Sequence, residues 1–169
     1  MKKVSIVIPC FNAGEYLAEA VNSALAQSWP DVEVLVVDDG SDDPATLRLL
    51  AEASWPRTRV LRRKNAGPAA ARNLAIAHAT GDYILPLDAD DVLEPTYVEK
   101  AVAMLDARPD VGIVYCKAMK FGAERGPWKL PAYALSELVI GNVIFVSAMF
   151  RRSDWELVGG FDEELRYGV

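Results

Sequence analysis

Residues 32–41 read VEVLVVDDGS, an apolar, mostly β-branched run that ends in two acids, a glycine and a serine. The run from Val32 to Val37 is short and bounded by turn residues, which is typical of a buried strand. Residues 4–8, VSIVI, form a second run of this kind, and Pro9 ends it. Both runs are followed by a segment with helical spacing, so each predicts a strand that leads into a helix.

Strand-like and helical segments alternate along the rest of the chain. Helices are predicted to begin at or after Asn12, Pro44, Pro68 and Pro95 and at Ser153. Asn12 is expected to cap the first helix with Glu15 as its capping-box partner, and Ser153 to cap the last. Further strands are predicted over residues 59–62, 83–87, 111–115 and 143–150. The periodicity fades over residues 117–142. Successive βα units predict an α/β fold with a mostly parallel central sheet and helices on both faces.

The composition excludes several classes of protein. The 169 residues suit one domain, and 51% hydrophobic residues can bury a substantial core. A net charge of −6 disfavours a nucleic-acid partner, because phosphate binding needs clustered Lys and Arg. No apolar run reaches the roughly 20 residues that a membrane span needs, and the N-terminus lacks a signal-peptide pattern. Two distant cysteines indicate a reduced, cytoplasmic protein.

Acidic residues follow the predicted strands at what should be one edge of the sheet. Ligands of open α/β sheets bind beyond the carboxyl ends of the strands. The segments expected there are residues 9–12, 38–39, 64–65 and 88–91. Crowded carboxylates repel each other by about 4 kcal/mol per close pair at an effective dielectric of 20. A divalent cation shared with substrate phosphate oxygens would offset this repulsion.

Each motif also has a plainer interpretation. Asp38-Asp39-Gly40-Ser41 is compatible with a simple turn, and Asp88-Ala89-Asp90 with chance. Gly67-Pro68 is compatible with a turn that opens a helix, and Arg72 with pairing to a surface acid. Residues 62–64, RRK, are expected to be a solvated strand end. Only the joint arrangement of these motifs, and not any one of them, indicates a ligand-binding site.

That arrangement closely resembles the family 2 glycosyltransferases. The resemblance spans nearly the whole chain, with its motifs in order and at suitable spacing. They are VSIVIPCFN (4–12), VVDDGS (36–41), NAG (65–67), ARN (71–73), GDYILPLDADD (81–91) and GGFDE (159–163).

The resemblance implies a Rossmann-like GT-A fold. Residues 1–116 would form a nucleotide-sugar-binding half and residues 117–169 the start of an incomplete acceptor-binding half, together one domain. The donor would be a nucleoside-diphosphate sugar, commonly a UDP-sugar. The acceptor would be a glycan or lipid-linked molecule, since family members often make surface polysaccharides. The resemblance allows a location at the membrane surface as well as one in the cytoplasm.

The resemblance also assigns roles to residues that bind the donor. Pro9 and Phe11 would line the base and ribose, with Glu15 nearby. Asp39 would accept a hydrogen bond from a base N–H, a task that suits a group with acceptors only. Gly67 would let the backbone approach the nucleotide, and Arg72 would face the nucleotide or its phosphates.

The Asp-x-Asp motif would hold the cation. Asp88 points toward the ribose or sugar in this scheme, and Asp90 toward Mn²⁺ or Mg²⁺; both are predicted metal-site residues, and Asp88 also contacts the nucleotide. Asp91 is given no firm role. The cation would neutralise charge that grows on the departing diphosphate.

The implied reaction is a single displacement with inversion at the anomeric carbon. A carboxylate would take the proton of the attacking acceptor hydroxyl. In the family this base follows the Gly-Gly-Phe-Asp segment, so we expect it beyond Val169, in a part of the domain that this chain lacks.

Two alternatives follow. One is a nucleotide-sugar-binding fragment without turnover. The other is a phosphoacceptor signalling domain, which is disfavoured because that domain would carry an acid pair after the first strand, where this chain has residues 9–12, PCFN.

Overall fold

The computed structural model describes residues 1–165 of the chain, which form a central sheet flanked by helices. The strands are β1 (Val4–Cys10), β2 (Val32–Asp38), β3 (Thr58–Arg62), β4 (Tyr83–Pro86), β5 (Ile113–Val114), β6 (Ala118–Lys120), β7 (Gly126–Trp128) and β8 (Met149–Arg151). The helices are α1 (Gly14–Leu25), α2 (Pro44–Glu52), α3 (Pro68–His78), α4 (Tyr97–Ala107), α5 (Leu135–Ile140) and α6 (Arg152–Val158).

The six-stranded sheet has the order β3-β2-β1-β4-β8-β5. Strands β1 to β4 are parallel neighbours, whereas β8 runs antiparallel between β4 and β5. The prediction of a mostly parallel α/β sheet is therefore confirmed. The parallel strands are joined by helical crossovers, so their carboxyl ends all lie at one edge.

Helices cover both faces of the sheet, as predicted. On one face α1 and α4 pack against the side chains of Val4, Ile6 and Ile8, which are fully buried, and α2 packs at the margin of the same cluster. On the other face α3 packs against Val7, and Trp155 from α6 joins that second cluster. Each fully buried aliphatic side chain contributes about 1.5–3 kcal/mol of burial free energy.

Two predicted helix caps are wrong. Asn12 has a φ of 51° and is not the cap of α1; Ala13 holds that position, and no side chain caps the helix. The Asn12 amide oxygen instead accepts the backbone N–H groups of Asp42 and Asp43 at 3.0 Å each. At α6, Arg151 takes the cap position expected for Ser153, again without a side-chain hydrogen bond. Asn12 thus joins two neighbouring loops at the sheet edge and does not start a helix.

The last two predicted strands are shorter than expected. The segment predicted as residues 111–115 pairs only at Ile113–Val114, and the segment predicted as residues 143–150 pairs only from Met149. The Tyr97 hydroxyl lies 2.6 Å from the Ser147 carbonyl oxygen and 3.1 Å from that of Val114. A side chain therefore occupies carbonyl groups that a longer strand pair would have used.

Residues 117–142 form a separate small layer. Strands β6 and β7 make an antiparallel hairpin, and α5 follows it. Apart from Val139, whose side chain is not described, every residue in this stretch is exposed or half-buried. None of the helices in the described part of the chain is long and apolar enough to cross a bilayer. The boundary between two halves near residue 116 stays a prediction.

Candidate functional site

A cavity of about 620 Å³ opens at the carboxyl edge of the parallel strands, and we call it the edge cavity. Four separate loops supply its walls. They contribute Pro9, Cys10, Phe11, Asn12, Ala13 and Tyr16 from the first loop and α1, Asp39 from the second, Asn65, Gly67, Pro68 and Arg72 from the third loop and α3, and Asp88, Ala89 and Asp90 from the fourth. The structure thus brings together the motifs that the sequence places at one edge.

Asp39 lies at the floor of this cavity, and only 4% of its side chain is exposed. Its Oδ2 accepts the Gly67 N–H at 2.8 Å, and its Oδ1 accepts the Ala66 N–H at 3.1 Å. Gly67 has a φ of 93°, a conformation that favours glycine, and it caps α3. The carboxylate therefore fixes the loop that leads into α3, so the loop carries Gly67 to the cavity wall.

Arg72 and Asp88 form an ion pair that also lines this cavity. The Arg72 Nη2 donates to the Asp88 Oδ1 at 2.6 Å, with 15% and 34% of the two side chains exposed. The Arg72 Nε is buried and has no hydrogen-bond partner among the described residues. The two interpretations of Arg72, pairing with a surface acid and binding a ligand, are therefore compatible, because the ion pair itself lines the cavity.

Asp90 is exposed at the mouth of the edge cavity, and Asp91 turns away from it. Within residues 1–165 neither carboxylate has an ion-pair partner. Burial, followed by the charges of Asp88 and Asp90, raises the pKa of Asp91 to about 6. No group of three or more His, Cys, Asp or Glu side chains in that range is arranged to hold a metal ion. A cation here would need further oxygen ligands from a bound molecule.

The first loop places its predicted residues unequally. Pro9 and Phe11 line the cavity, and the Phe11 ring is 50% exposed. Glu15 is exposed on the first turn of α1 and does not line it. Tyr16, the next residue, lines the cavity instead and is 49% exposed. Sequence reasoning missed Tyr16 as a wall residue, although it follows Glu15 directly, whereas Asn65 lies in the segment expected at this edge.

A second cavity of about 520 Å³ adjoins the same turn, and we call it the hairpin cavity. Asp91 lines it, while the neighbouring Asp90 lines the edge cavity. Its other walls come from α1, the start of α4, the β6–β7 region and the segment before β8. The aromatic side chains among them are Tyr97, Phe121, Trp128 and Phe145. The Trp128 and Phe145 rings meet edge to face with centroids 5.2 Å apart. The two cavities thus adjoin each other at Asp90 and Asp91.

Arg62 and Lys64 are exposed at the end of β3, as the sequence predicts, but the half-buried Arg63 departs from the predicted solvated strand end. The Arg62 Nε lies 2.9 Å from the Asp38 Oδ2, and the Arg63 Nε lies 3.2 Å from the Asp39 Oδ1. Parallel pairing of β2 with β3 places Asp38 opposite Arg62. Together with Arg72, these arginines pair with three of the five acids that the sequence places at this edge.

Asn73 connects α3 to the segment that follows α6. Its amide group accepts the Phe161 N–H at 2.9 Å and donates to the Phe161 carbonyl and to the Glu163 Oε1, both at 2.8 Å. The ARN and GGFDE motifs are therefore joined in space. The base predicted beyond Val169 lies outside the described residues.

The sequence model of glycosyl transferase family 2 matches residues 5–158. The chain belongs to glycosyl transferase family 2. This match confirms the resemblance seen in the sequence motifs.

Relatives of this family 2 chain include polysaccharide synthases. It is 36% identical to the chondroitin synthase of Escherichia coli over 98% of its length, which is 25% of that enzyme. It is 32% identical to the hyaluronan synthase of Pasteurella multocida over 98% of its length, or 18% of that enzyme. The chain thus spans a quarter or less of the length of these relatives.

Solved structures of glycosyltransferases share the fold of this family 2 chain. S. aureus TarS 1-349 in complex with UDP superimposes with a TM-score of 0.77 at 26% identity, over 98% of this chain and 52% of TarS. The mannosyltransferase PcManGT from Pyrobaculum calidifontis, in complex with GDP-Man and Mn²⁺, gives 0.72 at 25% identity, over 97% and 48%. The fold is therefore of the GT-A type, as expected.

Proposed function

We propose that this chain binds a nucleoside-diphosphate sugar, with UDP as the nucleotide, in the edge cavity and transfers the sugar to an acceptor hydroxyl. The observation that carries the proposal is the convergence of Asp39, Arg72, Asp88 and Asp90 on one cavity. A cavity of this size suits a ligand of that class. The binding of UDP by TarS and of GDP-Man by PcManGT supports the same ligand class.

The base and ribose occupy the side of the cavity formed by the first and second loops. Phe11, half exposed beside Pro9, offers an apolar face for the base. Asp39 accepts the N–H of the uracil ring, since a carboxylate provides acceptors only. Gly67 lets the chain pass close to the nucleotide, because no Cβ stands there and its surroundings are open.

The diphosphate occupies the side formed by α3 and the fourth loop. Arg72 donates to phosphate oxygens with groups that its pairing to Asp88 leaves free. Asp90 and the second oxygen of Asp88 are hard oxygen ligands and fit Mn²⁺ or Mg²⁺, with phosphate oxygens completing the set. When bound, the cation offsets negative charge on the leaving diphosphate. Arg72 adds positive charge at the same place.

Transfer follows as a single displacement with inversion. The acceptor oxygen bonds to the anomeric carbon while the bond from that carbon to the diphosphate oxygen breaks. The acceptor proton passes to a carboxylate that acts as a general base. The acceptor, a glycan or lipid-linked saccharide, approaches from the hairpin cavity, because that cavity meets the edge cavity at Asp90–Asp91.

Calorimetric titration of the chain with UDP tests the proposal. We expect binding in the presence of Mn²⁺ and at least tenfold weaker binding with EDTA. A parallel assay of UDP-sugar hydrolysis separates turnover from binding alone, and binding without hydrolysis supports the nucleotide-sugar-binding alternative for these residues. The absence of UDP binding at millimolar concentration, with and without Mn²⁺, would refute the proposal.

A further inference from the structure

Two adjacent acids at the end of β2 each face an arginine from the end of β3, but the two pairs differ in position. Asp39 lines the edge cavity, whereas Asp38 does not. Asp38 accepts the Ser41 N–H at 2.8 Å and pairs with Arg62, whose side chain is 64% exposed. Arg63 is only 23% exposed and lies behind Asp39, outside the cavity wall. The ends of β2 and β3 thus contribute one arginine–acid pair at the cavity and a matched pair away from it.

The Asp39 carboxylate keeps one acceptor position free. A carboxylate offers about four acceptor positions. Within the described residues the backbone N–H groups of Ala66 and Gly67 donate to it, the Ala66 N–H being shared between Oδ1 at 3.1 Å and Oδ2 at 3.3 Å. The Arg63 Nε forms an ion pair with Oδ1 at 3.2 Å. Because Asp39 lines the cavity, a ligand bound there can reach the remaining acceptor position. The orientation of this acceptor depends on the three groups that hold the Asp39 carboxylate in place.

Arg63 is itself held in place by the backbone. Its N–H donates to the Asp38 carbonyl at 3.0 Å, and its Nε lies 3.3 Å from the Lys64 carbonyl oxygen. The two turns that carry the pair are also in close contact: a Cβ at Gly40, where φ is 77°, would lie 2.7 Å from the Asn65 backbone nitrogen. Asp39, Arg63 and the loop before α3 therefore form one rigid unit.

We propose that Arg63 is a positioning residue that sets the nucleotide-base selectivity of the edge cavity. This inference rests on the proposed function, because it assumes that Asp39 accepts the base N–H. The guanidinium supplies the positive charge that a nearly fully buried carboxylate requires and fixes its rotation. The free oxygen position then meets a ring N–H at one angle, so bases without that donor bind less well.

The test compares UDP with UDP methylated at N3, which cannot donate to Asp39. Wild type is expected to favour UDP over the methylated ligand by about tenfold or more, the effect of a hydrogen bond to a charged group. Arg63→Gln should lose most of this preference and keep its Mn²⁺-dependent affinity for pyrophosphate within about twofold. Arg63→Lys should restore part of the preference. Arg62→Gln, the matched control, should retain all of it.

Three outcomes overturn the inference. If Arg63→Gln keeps the wild-type preference, Arg63 does not position Asp39. If UDP and pyrophosphate affinities fall equally, the role of Arg63 is structural only. If Arg62→Gln loses the preference to the same extent, the effect is not specific to the cavity pair. Arg63→Met is a second neutral variant for the case in which Arg63→Gln does not fold, and circular dichroism checks each protein. Failure of wild type to bind UDP would refute the proposed function instead.

Discussion

The first 116 residues and the stretch from 117 to 142 use similar residue types for different purposes. In the first region Val4, Ile6 and Ile8 are fully buried, and loops at the strand ends are fixed by hydrogen bonds such as those of Asn12 and Asp39. In the second region no described side chain is fully buried, and Met119, Trp128 and Ile140 are at least half exposed. The edge cavity is therefore formed by loops anchored on the buried core. The wall of the hairpin cavity that comes from residues 117–142 lacks such a core beneath it.

The largest expected difference is in stability. Ile6→Ala should lower the free energy of unfolding by about 2–5 kcal/mol, because it leaves a cavity in the core. Ile140→Ala makes the same chemical change at a side chain that is 83% exposed and should change it by less than about 0.5 kcal/mol. Urea denaturation followed by circular dichroism measures both. Similar losses in the two variants would contradict the contrast between the regions.

The connection between α3 and the segment after α6 gives the next largest effect. Asn73→Ala removes an amide that bonds to Phe161 and Glu163 and should cost about 1–3 kcal/mol of unfolding free energy. Asn22→Ala, in the middle of α1 at an exposed position, is the control and should stay within about 0.5 kcal/mol of wild type. An equal effect of the two changes would show that the Asn73 bonds add no stability.

Asp90 sharpens the comparison at the junction of the two cavities. Asp90→Ala should weaken Mn²⁺-dependent UDP binding by about tenfold or more, about 1.4 kcal/mol, and leave the unfolding free energy nearly unchanged because the side chain is exposed. Glu15→Ala, outside the edge cavity, should leave UDP affinity unchanged. Calorimetry measures both variants. Unaltered affinity in Asp90→Ala would argue against its metal role, and weakened affinity in Glu15→Ala would restore the role that the sequence predicts.

The smallest effect concerns pH and the opposite edge of the sheet. Burial opposes ionisation of Glu33, but hydrogen bonds from Ser5 and Thr80 and the charge of Lys3 outweigh it and lower its pKa below the usual 4.5. The folded state thus favours the carboxylate, so its contribution to stability is present above pH 4.5 and is lost as pH falls through the lowered pKa. Glu33→Gln should flatten the acid side of the stability profile. Parallel profiles for wild type and variant would contradict this assignment.

The order of elements was predictable because it depends on local patterns of apolar and turn residues. Strand β2 begins at Val32 as expected, and Pro44 starts α2 as expected. The single edge for Asp39 and Asp88–Asp90 was also predictable, since parallel strands share the direction of their carboxyl ends.

Contacts between distant loops were not predictable. Asn12 has the residue type of a helix cap, yet its partners are thirty residues away in sequence, and only the fold brings them near. The pairing of Arg63 with Asp39 depends on the register of β3 against β2, which no local pattern encodes. Tyr16 and Glu15 are neighbours on α1 and point in different directions around the helix axis. The residue at which the helix starts therefore decides which of them faces the cavity.

The reversed direction of β8 affects how this architecture can vary. Every parallel strand needs a crossover helix to bring another loop to the ligand edge, but β8 reaches that edge with the residues that precede it. Its pairing with β4 and β5 begins only at Met149. Insertions or deletions just before Ser147 would therefore reshape the entrance for an incoming molecule and leave the strand pairing of the sheet intact. This segment gives protein engineers a natural point for grafting new specificity.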